Sequence, residues 1–277
     1  MLPEKHMSSP APIIQLKNIT RSFNGLRVLD GVSLDIPTGM TTVIIGPSGC
    51  GKSVLLKHFV LLLRPDSGSV FFKNDNITAM SEKQLIDVRR KIGFLFQGAA
   101  LFDSMTVDQN VMFPLEEHSS LSASQRLTRA REMLDLVGLG DLGHRYPEEL
   151  SGGQQKRVAL ARAIALHPEV ILYDEPTTGL DPIRSDLINE LILRLQKTLG
   201  STAVVVTHDM TSARKVANHI VMLHGGRIVA RTVPPKLDEI KLDVFRDFVE
   251  GRASAEELAT IERANLAGIR QATGDQV

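Results

Sequence analysis

Gly46-Pro47-Ser48-Gly49-Cys50-Gly51-Lys52-Ser53 is the stretch whose reading decides the fold. It spells Gly, four residues, Gly-Lys-Ser. An apolar, β-branched run from Met40 to Ile45 precedes it, and the run from Val54 to Leu63 reads as a buried helix. Strand, glycine loop and helix in that order form a phosphate-binding loop. The glycines let the backbone turn tightly enough to aim several N–H groups at one phosphate, and the helix start adds partial positive charge. Lys52 then reaches the β- and γ-phosphates of a nucleotide, and the Ser53 hydroxyl holds Mg²⁺. The blander reading, a glycine turn beside a surface lysine, leaves the flanking strand and helix unexplained.

The surrounding composition is that of a globular chain. Its 277 residues are 43% hydrophobic, ample for a core, and 32 basic residues balance 32 acidic ones. No net positive field is available to hold a nucleic-acid backbone. Cys50 is the only cysteine, which excludes an intramolecular disulfide framework and a cysteine-rich zinc site and suits a reducing compartment, so the cytoplasm is expected. Residues 1–12 carry Pro and Ser with no apolar segment of signal-peptide length and read as a flexible tail. The longest apolar run, Val54 to Leu63, is interrupted by Lys57 and His58 and falls short of the roughly 20 residues that span a bilayer. Any transmembrane role is expected to lie on another polypeptide.

Ile13 to Ile19 and Val32 to Ile36 alternate as strands around an Asn24-Gly25 turn, so the opening is β-rich. Phe23, just before that turn, reads equally as a minor core residue or a contact aromatic. Val70 to Phe72 is a short strand, and Ser81 with Gln84 gives a capping-box start to a helix through Arg90. Ile92 to Phe96 is apolar and ends in Gln97, the position at which parallel strands present site residues. Residues 98–167 read as an inserted helical subdomain, with Ser122 or Ser124 capping a helix that runs to Leu136.

Leu150-Ser151-Gly152-Gly153-Gln154 is a second glycine turn feeding a helix, either an anion-facing backbone or an ordinary N-cap. Val170 to Tyr173 is a strand ending in Asp174 and Glu175. Alternate side chains point opposite ways there, so one carboxylate can face Mg²⁺ while the other turns toward an attacking water. Leu187 to Leu195 reads as an amphipathic helix, Ala203 to Val206 as a buried strand with His208 beyond its end, and His224-Gly225-Gly226 as a hairpin turn. Lys236 to Glu250 is expected to be helical. Ser254 and Glu257 cap a last helix bearing Leu258, Ile261, Leu266 and Ile269.

With phosphate loop, Gln97, LSGGQ, strand-end Asp-Glu and strand-end His in that order, residues 13–233 resemble the ATPase subunit of ABC transporters. The resemblance implies an α/β fold of the P-loop NTPase kind, with a RecA-like core, an antiparallel β subdomain, the helical subdomain at 98–167 and a helical C-terminal extension over 234–277. It implies that Phe23 stacks on adenine and that Gly46, Pro47, Ser48, Gly49, Cys50, Gly51, Lys52 and Ser53 cradle the phosphates and Mg²⁺. Gln97 is implied to contact Mg²⁺ and the lytic water, Asp174 to attend Mg²⁺, Glu175 to polarise the water, and His208 to sense the γ-phosphate. Ser151, Gly152, Gly153 and Gln154 match the signature that binds the γ-phosphate held by a second copy, and Gly179-Leu180-Asp181 the loop joining the two sites. ATP and Mg²⁺ are the implied cofactors, a homodimer closed over two ATP the implied assembly.

A narrower resemblance lies in Gly98-Ala99-Ala100-Leu101-Phe102-Asp103 through Glu116-Glu117-His118, and in the tail beyond Leu237. Both are similar to the ATPase of Mce-associated lipid transporters, the Mla phospholipid system among them. That implies a permease dimer in the inner membrane, a periplasmic Mce-domain lipid-binding protein, often a STAS-domain protein, and a peripheral place on the cytoplasmic face of the inner membrane. The alternative within transport is the ATPase of a polar amino-acid or other small-solute importer, which shares the core motifs. A non-transport ABC protein acting on ribosomes or DNA would show tandem ATPase halves, a long coiled coil or a basic surface, and the sequence has none of these.

Overall fold

The computed structural model describes residues 11–253. In chain order its elements are β1 (Pro12–Phe23), β2 (Leu26–Pro37), β3 (Thr41–Ile45), α1 (Lys52–His58), β4 (Ser67–Phe72), β5 (Asp75–Asn76), α2 (Glu82–Arg89) and β6 (Ile92–Leu95). Then come α3 (Val107–His118), α4 (Ala123–Leu136), α5 (Gly152–Ile164), β7 (Val170–Asp174), α6 (Pro182–Leu199), β8 (Thr202–Val206), α7 (Met210–Val216), β9 (His219–His224), β10 (Arg227–Thr232) and α8 (Asp243–Glu250). The chain divides into two compact units, Met1–Pro234 and Pro235–Val277.

In the first unit, β1 and β2 form a hairpin across Asn24 and Gly25, both at positive φ, a two-residue turn whose twist matches that of the strands it joins. Ile14, Leu16 and Ile19 pair across it with Ile36, Leu34 and Val32, and all six are buried. This antiparallel sheet runs β2-β1-β4-β5. Its apolar face joins Leu55 and Leu56 of α1 and Ile44, Leu172 and Val204 of the second sheet in one core.

The second sheet runs β10-β9-β3-β8-β7-β6, parallel except for the edge strand β10. Every residue of β3, β7 and β8 is buried, as expected of parallel strands covered on both faces. The register aligns the strand ends. Ile44 lies opposite Val206, Val206 opposite Asp174, and Tyr173 opposite Leu95. The segments leaving β3, β8, β7 and β6 therefore emerge level with one another at the carboxyl edge, the ligand edge of such sheets. Between β6 and β7 the chain makes the helical unit, where α3, α4 and α5 pack on one another. All three helices start with capping boxes, Thr106 with Gln109, Ser122 with Gln125 and Ser151 with Gln154.

Three sequence expectations about helices change. The helix after the phosphate loop stops at His58 rather than Leu63. Phe59, Val60 and Leu61 stay buried, but Leu61 takes a left-handed φ of 49°. The end is closed by backbone bonds, the Leu61 amide donating to the His58 carbonyl at 3.1 Å and the Leu62 amide to the Lys57 carbonyl at 3.0 Å, and Arg89 of α2 donates to the carbonyls of Val60 at 3.1 Å and Leu61 at 2.9 Å. The helix read from Leu187 starts earlier, at Pro182, because Asp181 caps it by accepting from the Arg184 amide at 2.9 Å. The expected helix over Lys236 to Glu250 is broken into a 3-10 turn, Pro234–Glu239, and α8. The capped helix expected from Ser254 lies outside the described residues, as does most of the N-terminal tail. Among the described residues no helix is long and apolar enough to cross a membrane.

Candidate functional site

The loop after β3 is shaped by close approach. Gly46 passes so near β9 that a Cβ there would lie 2.2 Å from the Leu223 carbonyl oxygen, so only glycine fits. Lys52, the first residue of α1, is 6% exposed and folds back over the loop. Its ammonium donates to the carbonyls of Gly46 at 2.9 Å and Pro47 at 3.0 Å. The same Nζ lies 3.6 Å from Glu175 Oε1.

Two carboxylates stand beside it with different partners. Asp174, the last residue of β7, accepts a 2.7 Å hydrogen bond from the Ser53 hydroxyl. Burial pushes its carboxyl above the ordinary value; the Ser53 bond opposes that rise and the neighbouring Glu175 adds to it. Glu175 leaves the strand in a left-handed turn, φ 48°, a conformation disfavoured for a residue with a side chain. Glu175 Oε2 is 2.9 Å from His208 Nδ1 and accepts from the Thr178 hydroxyl at 3.0 Å. The carboxylates thus have separate partners, Asp174 at the strand end on the Ser53 side and Glu175, already in the turn, toward Lys52 and His208, so the turn and not strand alternation separates them.

Ser53 with Asp174, and Lys52 with Glu175 and His208, therefore form two bonded sets side by side, joined through adjacent residues of the chain. Gln97 is exposed just past the end of β6, and among the described residues no hydrogen bond joins it to Asp174 or Glu175. The segment it opens is tied elsewhere: Arg162 of α5 donates to the Ala99 carbonyl at 3.0 Å and lies over the Phe102 ring. Phe23 belongs to the other sheet. It is 38% exposed, which removes the core reading, and the Arg21 guanidinium covers its ring at 4.8 Å. Cys50 is partly buried within the loop; burial pushes its thiol up, and Lys52 pulls it back.

Ser151 to Gln154 open α5. The Gln154 side chain accepts from the Ser151 amide at 2.9 Å, and Ser151 Oγ accepts from the Gln154 amide. The hydroxyl hydrogen of Ser151 is not used by that bond, so it remains a donor. Ser151 and Gly152 are exposed, and a Cβ on Gly152 would meet nothing within 4 Å. Nothing among the described residues requires glycine at that position.

Two polar residues of the site escape a reading of the sequence alone. Thr178 is the hydroxyl donor to Glu175. Lys156 is a buried lysine whose ammonium donates to the carbonyls of Pro176 at 3.0 Å and Thr178 at 2.5 Å. A signal for Lys156 is present, since it shares the buried stripe of α5 with Gly153, Leu160 and Ile164.

No group of three or more His, Cys, Asp or Glu that could hold a metal ion occurs among the described residues. The oxygen pair of Ser53 and Asp174 fits a hard cation that keeps most of its ligands from phosphate and water, as Mg²⁺ does.

Comparison with known proteins gives a consistent answer. Residues 29–178 match the family described as ABC transporter. The chain is 40% identical to a probable ribonucleotide transport ATP-binding protein, Mkl, of Mycobacterium leprae, over 92% of this chain and 78% of that one. It is 39% identical to the intermembrane phospholipid transport system ATP-binding protein MlaF of Escherichia coli K12, over 88% and 91%. It is 41% identical to the methionine import ATP-binding protein MetN of Lactobacillus johnsonii, over 88% and 72%. Among solved structures, a dimeric ATP-binding cassette in a post-hydrolysis state bound to ADP and Pi matches with a TM-score of 0.75 at 36% identity, covering 80% of this chain and 98% of that one.

Proposed function

We propose that this chain, which belongs to the ABC transporter family and is an ATPase, powers phospholipid or lipid movement across a bacterial envelope through a separate permease. The fold and the catalytic activity are those of the family. The cargo is the finer step, because relatives named for phospholipid, ribonucleotide and methionine lie at nearly equal identity. The observation that carries the lipid reading is the segment from Gly98 to His118. It contributes Phe102, Phe113 and Pro114 to an open groove of about 550 Å³ that Phe94, Phe96 and Arg162 also line. We read this groove as the permease dock and residues 13–233 as the ATPase domain. The MetN likeness favours the alternative of a small-solute importer.

The chemistry follows from the cluster. Lys52 spends its donors on Gly46 and Pro47 and exchanges them for β- and γ-phosphate oxygens when ATP enters. Ser53 and Asp174 would hold Mg²⁺, and Gln97 would supply a further oxygen. A cation held there would supply positive charge against the phosphate. Glu175 is the base that takes the proton of the attacking water, and its oxygens are aimed by Thr178 and His208. His208, half exposed, also reaches the γ-phosphate. Phe23 stacks adenine on the ring face opposite Arg21. At Ser151 to Gln154, the open space beside Gly152 suits close approach of a γ-phosphate held by a second copy.

The test is purification of the intact complex from membranes, with its proteins and bound lipid identified by mass spectrometry. The lipid reading expects a permease, a periplasmic Mce-domain protein, in some complexes a STAS-domain protein, and bound phospholipid. Recovery of a soluble solute-binding protein without lipid supports the importer instead.

A further inference from the structure

Lys156 is 7% exposed, in the second turn of α5, and packing alone would favour an apolar side chain there. Its ammonium instead donates to two carbonyls, Pro176 and Thr178, both in the loop that leaves Glu175. That loop begins with the left-handed Glu175, and the Thr178 hydroxyl returns to the Glu175 carboxylate at 3.0 Å. The strand side of the turn is fixed as well, because the Glu175 amide donates to Val206 of β8 at 2.9 Å. Lys156 therefore supplies the helix-side anchor of a turn that a side-chain-bearing residue adopts reluctantly. Burial lowers the Lys156 ammonium from its ordinary value, and the Glu175 charge opposes that shift. Five residues upstream on the same helix is Ser151, about 7.5 Å along its axis.

We propose that Lys156 is a positioning residue that ties the helix start at Ser151 to Gln154 to the loop carrying Glu175, so that engagement of a nucleotide at the helix start sets the hydrolytic carboxylate at the chain's other site. The inference rests on the reading that this helix start meets ATP held by a second copy. The path is short and mostly polar: the capped first turn of α5, the ammonium, two carbonyls, and the Thr178 hydroxyl on Glu175. A helix and an ammonium transmit displacement without a hinge, and a small misplacement of a general base is costly in rate.

The experiment uses the full chain in the complex purified from membranes, with Lys156→Met, Lys156→Arg and Ser151→Arg variants. It reads kcat, the KM for ATP, the Hill coefficient in ATP and the melting temperature. Lys156→Met is expected to lower kcat about tenfold or more, leave KM within about twofold, and move the Hill coefficient toward one. Lys156→Arg keeps two donors for the carbonyls and is expected to recover most of the rate. If Lys156→Met does not fold, Lys156→Gln takes its place. Wild-type kcat and Hill coefficient in the Met or Gln variant overturn the proposal, as does a rate loss that only follows a fallen melting temperature. Ser151→Arg separates the two readings. If it abolishes hydrolysis while Lys156→Met is normal, the tether alone fails; if it hydrolyses normally, the two-copy reading fails.

Discussion

The strand-end cluster and the start of α5, the two regions proposed to face phosphate, are satisfied within the chain to different degrees. At the strand ends, Lys52, Asp174 and Glu175 are all less than one-tenth exposed and bonded to one another's neighbours. At the helix start, Ser151 and Gly152 are exposed, and the polar groups turn inward to cap their own helix. Buried polar groups must be satisfied within the chain, whereas exposed ones can wait for a partner. The first region is thus satisfied within the chain, and on the proposed reading the second waits for another copy.

The sharpest break of this contrast is Glu175→Gln. On the proposed reading it removes the base and no phosphate contact, so turnover should fall about 10²-fold or more while ATP binding persists. Phosphate release near the wild-type rate would contradict that role. Paired glycine variants come next. Gly46→Ala sets a Cβ against the Leu223 carbonyl and should destabilise the folded chain by about 1–3 kcal/mol or more, seen as a lowered melting temperature. Gly152→Ala should change stability by less than about 1 kcal/mol yet depress turnover, because the requirement there comes from outside the chain. Equal loss of stability in both would erase the distinction.

Phe23→Ala should weaken nucleotide binding by about 1–3 kcal/mol, measured by titration with ATP. The smallest effect concerns Cys50. Because burial holds its thiol above the ordinary value, alkylation should be slow at neutral pH, accelerate as pH rises past the usual thiol range, and be suppressed by ATP. Rapid reaction at neutral pH, or no protection by ATP, would move Cys50 out of the phosphate cradle.

Much of this is legible in the sequence for a physical reason. Parallel strands are short apolar runs, so the polar residues at or just past the end of each run, Gln97, Asp174 and His208, mark the ligand edge. Burial and helicity, by contrast, share one signature. The run Val54 to Leu63 is largely apolar, but the helix ends at His58 in a left-handed turn at Leu61, where no glycine or asparagine marks the cap. Lys156 is harder to single out, because a lysine on a helix usually faces water and its burial depends on a loop twenty residues away. The capping boxes at Thr106 and Ser151 are visible as Thr or Ser followed three residues later by Gln. The break between the 3-10 turn and α8 is not, since no residue between 240 and 242 is a strong helix breaker.

The central claim is that the phosphate loop of one copy is completed by the helix start of another, and sedimentation tests it most directly. The Glu175→Gln chain with ATP should sediment as a dimer holding two nucleotides, and adding Ser151→Arg should return it to monomers that still bind ATP. A dimer that survives Ser151→Arg, or a monomer that loses ATP with it, would contradict the claim.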